Sequence, residues 1–223
     1  MIGYIAKAFA SKKPHAVASK VSEEKQTAFI AKYRALKEEP GTLERIYFVD
    51  SMHPQHQTQL AYGWILKGAR KRLATSSKQK RLHRVGGINL STYRFIYREA
   101  EKVDGQCIQS YLSQLRRAHR GGSRLHVILD NAGYHHSDAV KRHAEDLHIE
   151  LHYLPAYSPN LNPIERLWKL LREEVMYNRY YKQFSEFCEA TRYFLRTIGK
   201  KKRLLQRRIT DKFQILKPPN FAF

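Results

Sequence analysis

The 223-residue sequence predicts an α/β fold in which a mixed β-sheet is flanked by helices, with a short helical arm at the N-terminus. Two apolar runs, "RIYFVD" and "LHVILD", have the composition of buried strands, and each ends in an aspartate. Two further strand patterns follow the first run, whereas helical patterns alternate with strands after the second. An antiparallel start followed by alternating strands and helices is typical of a mixed sheet covered by helices.

The N-terminal arm is predicted to contain a linker and one helix. "ASKKPHAVASK" has the composition of a linker. A helix is expected near residues 23–38, because Ser22 is a suitable N-cap, two glutamates occupy the first turn and Pro40-Gly41 end it. The opening "MIGYIAKAFA" is too short and too polar for a membrane span, and no run of 18 apolar residues follows, so we expect neither secretion nor membrane contact.

The antiparallel part of the sheet is expected between residues 45 and 100. "RIYFVD" places Asp50 at the C-terminal edge of the first strand, and "YGWILKG" gives a weaker strand pattern in which Trp64 is predicted to be a core residue. "RVGGINL" and "TYRFIYREA" follow as two strands joined by a polar turn. "DGQCIQSYLSQLRRAH" has apolar residues at helical spacing and is ended by two glycines.

The second half of the chain continues with strands and helices in alternation. "LHVILD" ends at Asp130, "SDAVKRHAEDL" is a helix capped by Ser137, and "HIELHYLP" is a further strand. The next helix carries an apolar stripe that should pack on the sheet. The stripe consists of Ile164, Leu167, Trp168, Leu171 and Val175.

The charge of the chain indicates a polyanionic partner. Lys and Arg total 41 against 20 Asp and Glu, and the net charge of +21 is spread along the sequence, so nucleic acid is the expected ligand. The two cysteines lie far apart in sequence and predict neither a disulfide framework nor a zinc pair, which suits a reducing cytosolic setting. The 11 histidines show no His-x-x-x-His pattern on a predicted helix and no Cys partner, so no zinc site is expected.

Three acids are candidates for a metal centre. Asp50 and Asp130 should project from the same edge of the sheet, where they would repel each other unless a cation lay between them. Carboxylate ligands without His or Cys favour Mg²⁺ or Mn²⁺, and a pair of such ions can support in-line displacement at a phosphodiester. For either aspartate alone an ordinary turn residue at a strand end is the favoured interpretation, and it is the conjunction of the two that points to a metal.

Glu165 has two interpretations that the sequence leaves open. Asn162, Pro163 and Glu165 have the spacing of a helix N-cap, a first-turn proline and the acid of a capping box. Glu165 also lies about 100° around the helix from Ile164, at the border of the apolar stripe, where it can face the edge of the sheet. One carboxylate can serve both purposes.

Three stretches together resemble a known family. "FVD", "VILDNAGYHH" and "LPAYSPNLNPIERLW" are similar to the catalytic signatures of mariner-related bacterial insertion-sequence transposases of the DDE superfamily, and 34 residues separate Asp130 from Glu165, as is typical of that group. The similarity extends from about Glu44 to Leu216. It implies an RNase H-like fold in which Asp50, Asp130 and Glu165 are catalytic and bind two Mg²⁺ or Mn²⁺ ions.

The resemblance also implies a substrate and a reaction. The expected activity is strand cleavage at transposon ends, followed by transfer of the freed 3′-hydroxyl into target DNA. Double-stranded DNA is then the partner, a homodimer on DNA is expected, and the bacterial nucleoid in the cytoplasm is the expected location. Two alternatives are a catalytically idle or domesticated DNA-binding remnant and an RNase H-like nuclease that acts on RNA–DNA hybrids.

The resemblance divides the chain into three predicted ranges. These are a linker and helical arm at 1–43, the RNase H-like catalytic domain at 44–198 and a basic C-terminal segment at 199–223. Family members normally carry helix-turn-helix modules upstream of the catalytic domain. Since about 43 residues precede it here, we expect that region to be absent, as in a truncated product, a split reading frame or an expressed fragment.

Further residues are assigned auxiliary roles. Asn131, His135 and Asn162 lie beside the predicted acids, and His135 matches a family histidine that could orient DNA or a metal-bound water, although an ordinary, partly exposed loop histidine fits the sequence equally. The basic end of the chain could follow a phosphate backbone or form a solvated helix face. Its candidate DNA-binding residues are Lys200, Lys201, Lys202, Arg203, Arg207 and Arg208.

Overall fold

One five-stranded mixed sheet organises the computed structural model, which describes residues 20–75 and 80–218. The strands are β1 (Ile46–Met52), β2 (His83–Ile88), β3 (Phe95–Ala100), β4 (Leu125–Leu129) and β5 (Ile149–Tyr153). Their order across the sheet is β3-β2-β1-β4-β5. Strand β1 pairs antiparallel with β2 and parallel with β4, so the predicted mixed sheet with an antiparallel start is confirmed.

Serine side chains cap two of the helices in the described part of the chain. The helices are α1 (Glu23–Glu38), α2 (Gly105–Ala118), α3 (Asp138–Asp146), α4 (Ile164–Leu171), α5 (Phe184–Thr197) and α6 (Lys202–Arg208). The Ser22 hydroxyl accepts a hydrogen bond from the Lys25 amide at 3.2 Å, and the Ser137 hydroxyl accepts one from the Val140 amide at 3.4 Å. Both predicted N-caps are therefore confirmed, and α1 has the expected bounds.

Helices cover both faces of the sheet. Alternation along β1 directs Phe48 to the face covered by α1 and α4 and Tyr47 to the face covered by α2 and α3, and both side chains are fully buried. All five residues of the predicted apolar stripe on α4 and the turn after it are buried in the first of these cores. A five-residue π-helical turn, Arg172–Met176, continues α4 and brings Val175 into that core.

Two adjacent glycines let helices approach the centre of the sheet from opposite sides. A Cβ atom on Gly86 would lie 2.7 Å from the Trp168 ring, and one on Gly87 would lie 2.2 Å from the Tyr111 hydroxyl oxygen. No ordinary packing allows such distances, so β2 needs glycine at both positions. The Trp168 ring therefore lies directly against the backbone of the strand that pairs with β1.

The ends of the described chain pack together. Phe213 makes edge-to-face contacts with Phe29 and Tyr33 of α1, and Asp211 forms a 2.6 Å ion pair with Lys37. Both segments thus cover the same face of the sheet. The predicted linker up to Ser19 and the sequence before it lie outside the described residues.

Two sequence predictions in the central loop region are wrong. The "YGWILKG" segment contains no strand, and Trp64 is fully exposed instead of lying in the core, whereas Trp168 is 2% exposed as expected. The residue before the segment is held by Asn178, whose side chain exchanges two hydrogen bonds with the backbone of Ala61 at 3.0 and 3.1 Å. The sequence did not predict helix α5.

No helix in the described ranges is both long enough and apolar enough to cross a bilayer.

Candidate active site

The three predicted acids meet at one edge of the sheet. Asp50 lies on β1, Asp130 follows the last residue of β4, and Glu165 lies in the first turn of α4. All three line one cavity of about 400 Å³ together with Asn131 and Asn162. Because β1 and β4 are parallel neighbours, their carboxyl ends open on the same side, which is where ligands bind in open α/β sheets.

Glu165 faces this cavity and does not cap α4. Asn162 turns its side chain inward and donates from Nδ2 to the Val49 carbonyl at 3.4 Å, while its own backbone carbonyl accepts the Glu165 amide at 3.1 Å. No side-chain cap hydrogen bond forms at the start of α4. The capping-box interpretation is therefore wrong, because a 3₁₀ turn at Pro159–Leu161 leads directly into the helix and leaves its first turn without a free N-cap side chain.

Asp50 is held by the indole of Trp168. The Nε1–H group donates to Asp50 Oδ2 at 2.9 Å across the gap left by Gly86, which pairs with Asp50 in the β1–β2 register. Burial raises the pKa of the Asp50 carboxyl to about 7, and the nearby Glu165 carboxylate contributes to the same shift. The Trp168 hydrogen bond opposes this shift because it favours the ionised form.

Asp130 has the opposite electrostatic environment. Its Oδ1 accepts from His135 Nδ1 at 2.9 Å and from the Ala132 amide at 3.1 Å, and these interactions, led by the His135 hydrogen bond, lower the pKa of the Asp130 carboxyl. His135 is only 2% exposed, so the interpretation as a partly exposed loop histidine is wrong. Tyr153 donates its hydroxyl hydrogen to the His135 carbonyl at 3.0 Å and thereby fixes the loop that carries this histidine.

Asn131 joins the ends of two strands beside the acids. Its Nδ2 donates to the carbonyl of Leu154, just after β5, and its Oδ1 lies 3.3 Å from His136 Nε2. The His136 ring stacks on Tyr153 with 4.1 Å between the ring centroids. These contacts fix the loop after β4 at the edge of the sheet, and Glu165 takes no part in them.

The site has the properties of a binding place for hard divalent cations. Burial raises the pKa of Glu165 as well as that of Asp50, so two of the three acids lack sufficient stabilisation of their negative charge. Asn162 Oδ1 is buried in the cavity wall without a hydrogen-bond partner among the described residues. Carboxylate and amide oxygens are the ligands that Mg²⁺ and Mn²⁺ prefer, so the residues present fit such an ion.

The pKa shifts predict opposite stability effects at the two aspartates in metal-free protein. A carboxyl with a raised pKa stabilises the fold fully below its unfolded-state pKa of about 3.8, and this contribution is lost as the pH rises through about 7. Asp50→Asn is therefore expected to increase the free energy of unfolding at pH 7.5 by about 1–3 kcal/mol. Urea denaturation at pH 4.5 and 7.5 in the presence of EDTA measures this.

Asp130→Asn is the matched variant, for which the expected change in the free energy of unfolding has the opposite sign. Because the pKa of Asp130 is lowered, its stabilising contribution is present above the unfolded-state pKa and is lost as the pH falls through the lower folded-state value. The substitution should therefore decrease the free energy of unfolding at pH 7.5. Changes of the same sign in both variants would contradict this electrostatic description.

Comparison with known proteins assigns the chain to a family. Residues 45–188 match the model of the DDE superfamily endonuclease family. The chain is 22% identical over 155 residues to the insertion element IS630 uncharacterized 39 kDa protein of Shigella sonnei, and 34% identical over 83 residues to the protein y4pE/y4sA of Sinorhizobium fredii. These alignments cover 69% and 37% of the chain, and the chain spans 45% and 59% of the length of the two relatives.

Solved structures show the same fold. The Mos1 strand transfer complex aligns with a TM-score of 0.65 and 20% identity over 92% of this chain and 62% of that one. The catalytic domain of Mos1 mariner transposase aligns with a TM-score of 0.54 and 17% identity over 88% of this chain and 94% of that one. The predicted RNase H-like fold is thereby confirmed. Because the family match covers more than half of its length, the chain belongs to the DDE superfamily endonucleases.

Proposed function

We propose that this chain is the catalytic domain of a DNA transposase that cuts a strand at the transposon end and joins the freed 3′-hydroxyl to target DNA. The observation that carries the proposal is the convergence of Asp50, Asp130 and Glu165 on one cavity at the carboxyl edge of the sheet. Family membership and the net charge of +21 support a nucleic-acid substrate. Activity on chromosomal DNA would place the protein at the bacterial nucleoid.

The three acids would hold two Mg²⁺ or Mn²⁺ ions. Structures of the Mos1 catalytic domain are described as containing Mn or Mg. Three carboxylates offer enough oxygens to serve two ions, and a pair of Mg²⁺ ions suits in-line displacement at a phosphodiester. When bound, the ions supply positive charge to the phosphate that is being transferred.

The protein groups hold the acids ready for this reaction. Trp168 fixes Asp50, His135 and the Ala132 amide fix Asp130, and rigid packing of α4 directs Glu165 at the same cavity. In cleavage, a water oxygen forms a bond to phosphorus while the bond from phosphorus to the 3′-oxygen breaks. In strand transfer, the freed 3′-hydroxyl oxygen forms a bond to a target phosphorus while the bond from that phosphorus to the target 3′-oxygen breaks. In both steps the attacking oxygen loses a proton and the leaving 3′-oxygen gains one. Preorganised charges stabilise such a reaction without rearrangement at the moment of bond exchange.

The six basic residues predicted to bind DNA fall into two groups. Lys201 pairs with Glu174 at 2.8 Å and Arg208 with Glu173 at 2.5 Å. The remaining four are exposed and make no ion pair with the described part of the chain. They are Lys200, Lys202, Arg203 and Arg207. These four side chains are therefore the stronger candidates for phosphate contact.

A homodimer on DNA is supported by an exposed apolar loop, which comprises residues 60–66. Leu60, Tyr62, Trp64 and Leu66 are each at least 72% exposed, although Asn178 fixes the base of the loop. Exposed apolar clusters of this kind mark protein–protein interfaces. One similar structure is described as the Mos1 mariner paired end complex, which supports a second copy of the chain as the occupant.

Strand cleavage of supercoiled plasmid with Mg²⁺ or Mn²⁺ tests the proposed reaction. Asp50→Asn, Asp130→Asn and Glu165→Gln are each expected to reduce the nicking rate at least about 100-fold, the loss of about 2.7 kcal/mol of transition-state stabilisation. DNA affinity should change little because phosphate contacts come from Lys and Arg. Glu145→Gln, on the exposed face of α3, is the control and should nick at the wild-type rate.

Three outcomes of this assay, of calorimetry and of a comparison with an RNA–DNA hybrid would contradict the proposal. Nicking by Glu165→Gln at the wild-type rate would remove that residue from the centre. A wild-type protein that neither nicks nor binds Mn²⁺ in calorimetry would favour an idle DNA-binding remnant. Faster cleavage of an RNA–DNA hybrid than of duplex DNA would favour the nuclease alternative.

The salt dependence of DNA affinity tests the two basic groups. Replacing Lys200, Lys202, Arg203 and Arg207 with Gln should flatten the log–log plot of affinity against salt by about 0.9 for each phosphate that these side chains neutralise. Replacing Lys201 and Arg208 should change the slope less, because Glu174 and Glu173 already neutralise them. Fluorescence anisotropy with a labelled duplex measures both slopes. A fourfold variant with the wild-type slope would exclude this segment from the DNA footprint.

Sedimentation velocity with and without duplex DNA tests the dimer. The wild-type protein is expected to form a complex that contains two chains. Trp64→Ser should weaken this complex because it removes a large, fully exposed apolar side chain of the loop. Tyr193→Ser is the control, since Tyr193 is 72% exposed on α5, outside this loop. A wild-type complex with only one chain at all concentrations would rule out the dimer.

A further inference from the structure

A second cluster of metal-ligating side chains lies on the sheet away from the three acids. His126 is on β4, and Glu150 and His152 are on β5. His126 Nδ1 and His152 Nε2 are 3.1 Å apart, and oxygens of Glu150 lie 3.7 and 3.6 Å from these two nitrogens. The β4–β5 register places His126 opposite Glu150, so backbone pairing fixes the convergence.

Hydrogen bonds among these three side chains alone cannot satisfy all of their ligand atoms. Both imidazole rings are 5% exposed, and two protonated rings at this distance would repel each other strongly. Two neutral rings can place at most one N–H between the facing nitrogens, where it meets the lone pair of the other ring and the Glu150 carboxylate. A divalent cation would satisfy all three ligand atoms at once.

We propose that His126, Glu150 and His152 bind a divalent transition-metal ion, with Zn²⁺ as the first candidate. Two imidazole nitrogens and one carboxylate oxygen are a common ligand set for this ion, and tetrahedral ligands at about 2.0–2.1 Å from Zn²⁺ lie about 3.3 Å apart. The two nitrogens are 3.1 Å apart, His126 Nδ1 is 3.7 Å from Glu150 Oε2, and His152 Nε2 is 3.6 Å from Glu150 Oε1, so each nitrogen has a carboxylate oxygen near that distance. Mg²⁺, which prefers oxygen ligands alone, is a poor match.

This site is separate from the three acids. His126 precedes Asp130 by four residues along an extended strand, which corresponds to about 13 Å. An open coordination position would face a cavity of about 620 Å³ lined by α1 residues and the turn after them, including Lys32 and Glu39. Arg124, 3.4 Å from Glu150, is the cation that the metal would displace.

The ion would connect the edge strand to the rest of the sheet. In the described sheet, strand β5 has a neighbour on one side only, and the residues that follow it, 154–158, line the cavity of the three acids. A metal bridge between β4 and β5 would therefore stabilise the strand that leads into that cavity. The sequence-based expectation of no zinc site is revised by this proposal, since the ligands converge through strand pairing that no local motif encodes.

Zinc titration of tag-free, metal-stripped protein in excess Mg²⁺ tests the proposal. Calorimetry is expected to show one Zn²⁺ per chain, and Co²⁺ should give the visible absorption of a four- or five-coordinate nitrogen and oxygen site. His126→Gln and His152→Gln should each weaken Zn²⁺ binding at least tenfold. Asp50→Asn should leave it unchanged, so the result is independent of the proposed transposase activity.

Two further variants control for folding and for the number of histidines. Glu150→Gln alters a side chain that is 41% exposed, so it should weaken Zn²⁺ binding without unfolding the chain. His148→Asn removes an exposed histidine at a left-handed backbone position that Asn tolerates, and should bind Zn²⁺ as the wild type does. Absence of stoichiometric Zn²⁺ binding by the wild type, or wild-type affinity in His126→Gln and Glu150→Gln, would overturn the proposal.

Discussion

The hydrogen bond from Trp168 to Asp50 is the contact on which the site depends. It joins the first turns of α4 to the central strand, and it forms only because Gly86 leaves room for the indole beside the β1 backbone. The same packing fixes the rotation of α4 and therefore the direction of Glu165, which precedes Trp168 by less than one turn. One contact thus determines the position of two of the three acids.

This arrangement concentrates negative charge in a partly buried place, and the surrounding protein only partly stabilises it. Asp130 receives hydrogen bonds that lower its pKa, whereas for Asp50 the hydrogen bonds from Trp168 and the Ser51 backbone are outweighed by burial and the nearby Glu165. The site is therefore expected to destabilise the metal-free fold near neutral pH. Functional sites commonly hold such unfavourable interactions, and the cores on both faces of the sheet supply the compensating stability.

The sequence predicted features that depend on local pattern and missed those that depend on distant partners. The apolar runs of β1 and β4, the caps at Ser22 and Ser137 and the buried stripe of α4 follow from neighbouring residues, and the structure confirms them. Trp64 was misplaced because its apolar neighbourhood is typical of a strand, whereas the structure leaves it exposed in a loop whose base at Ala61 is bound by Asn178, more than a hundred positions away.

The same contrast between local pattern and distant partners applies to the candidate site. The predicted strand ends placed Asp50 and Asp130 correctly at the edge of the sheet. Whether Glu165 caps the helix or faces the cavity depended on the 3₁₀ turn that precedes α4, which the spacing of the residues does not reveal. Burial distinguishes Asp50 and Glu165 from the many exposed acids of the chain, because it raises the pKa of both carboxyls and neither has an Arg or Lys ion pair within the described ranges. Acids with perturbed pKa values that line one cavity are typical of functional sites, which is why these two residues, and not the exposed acids, mark the place where a cation would bind.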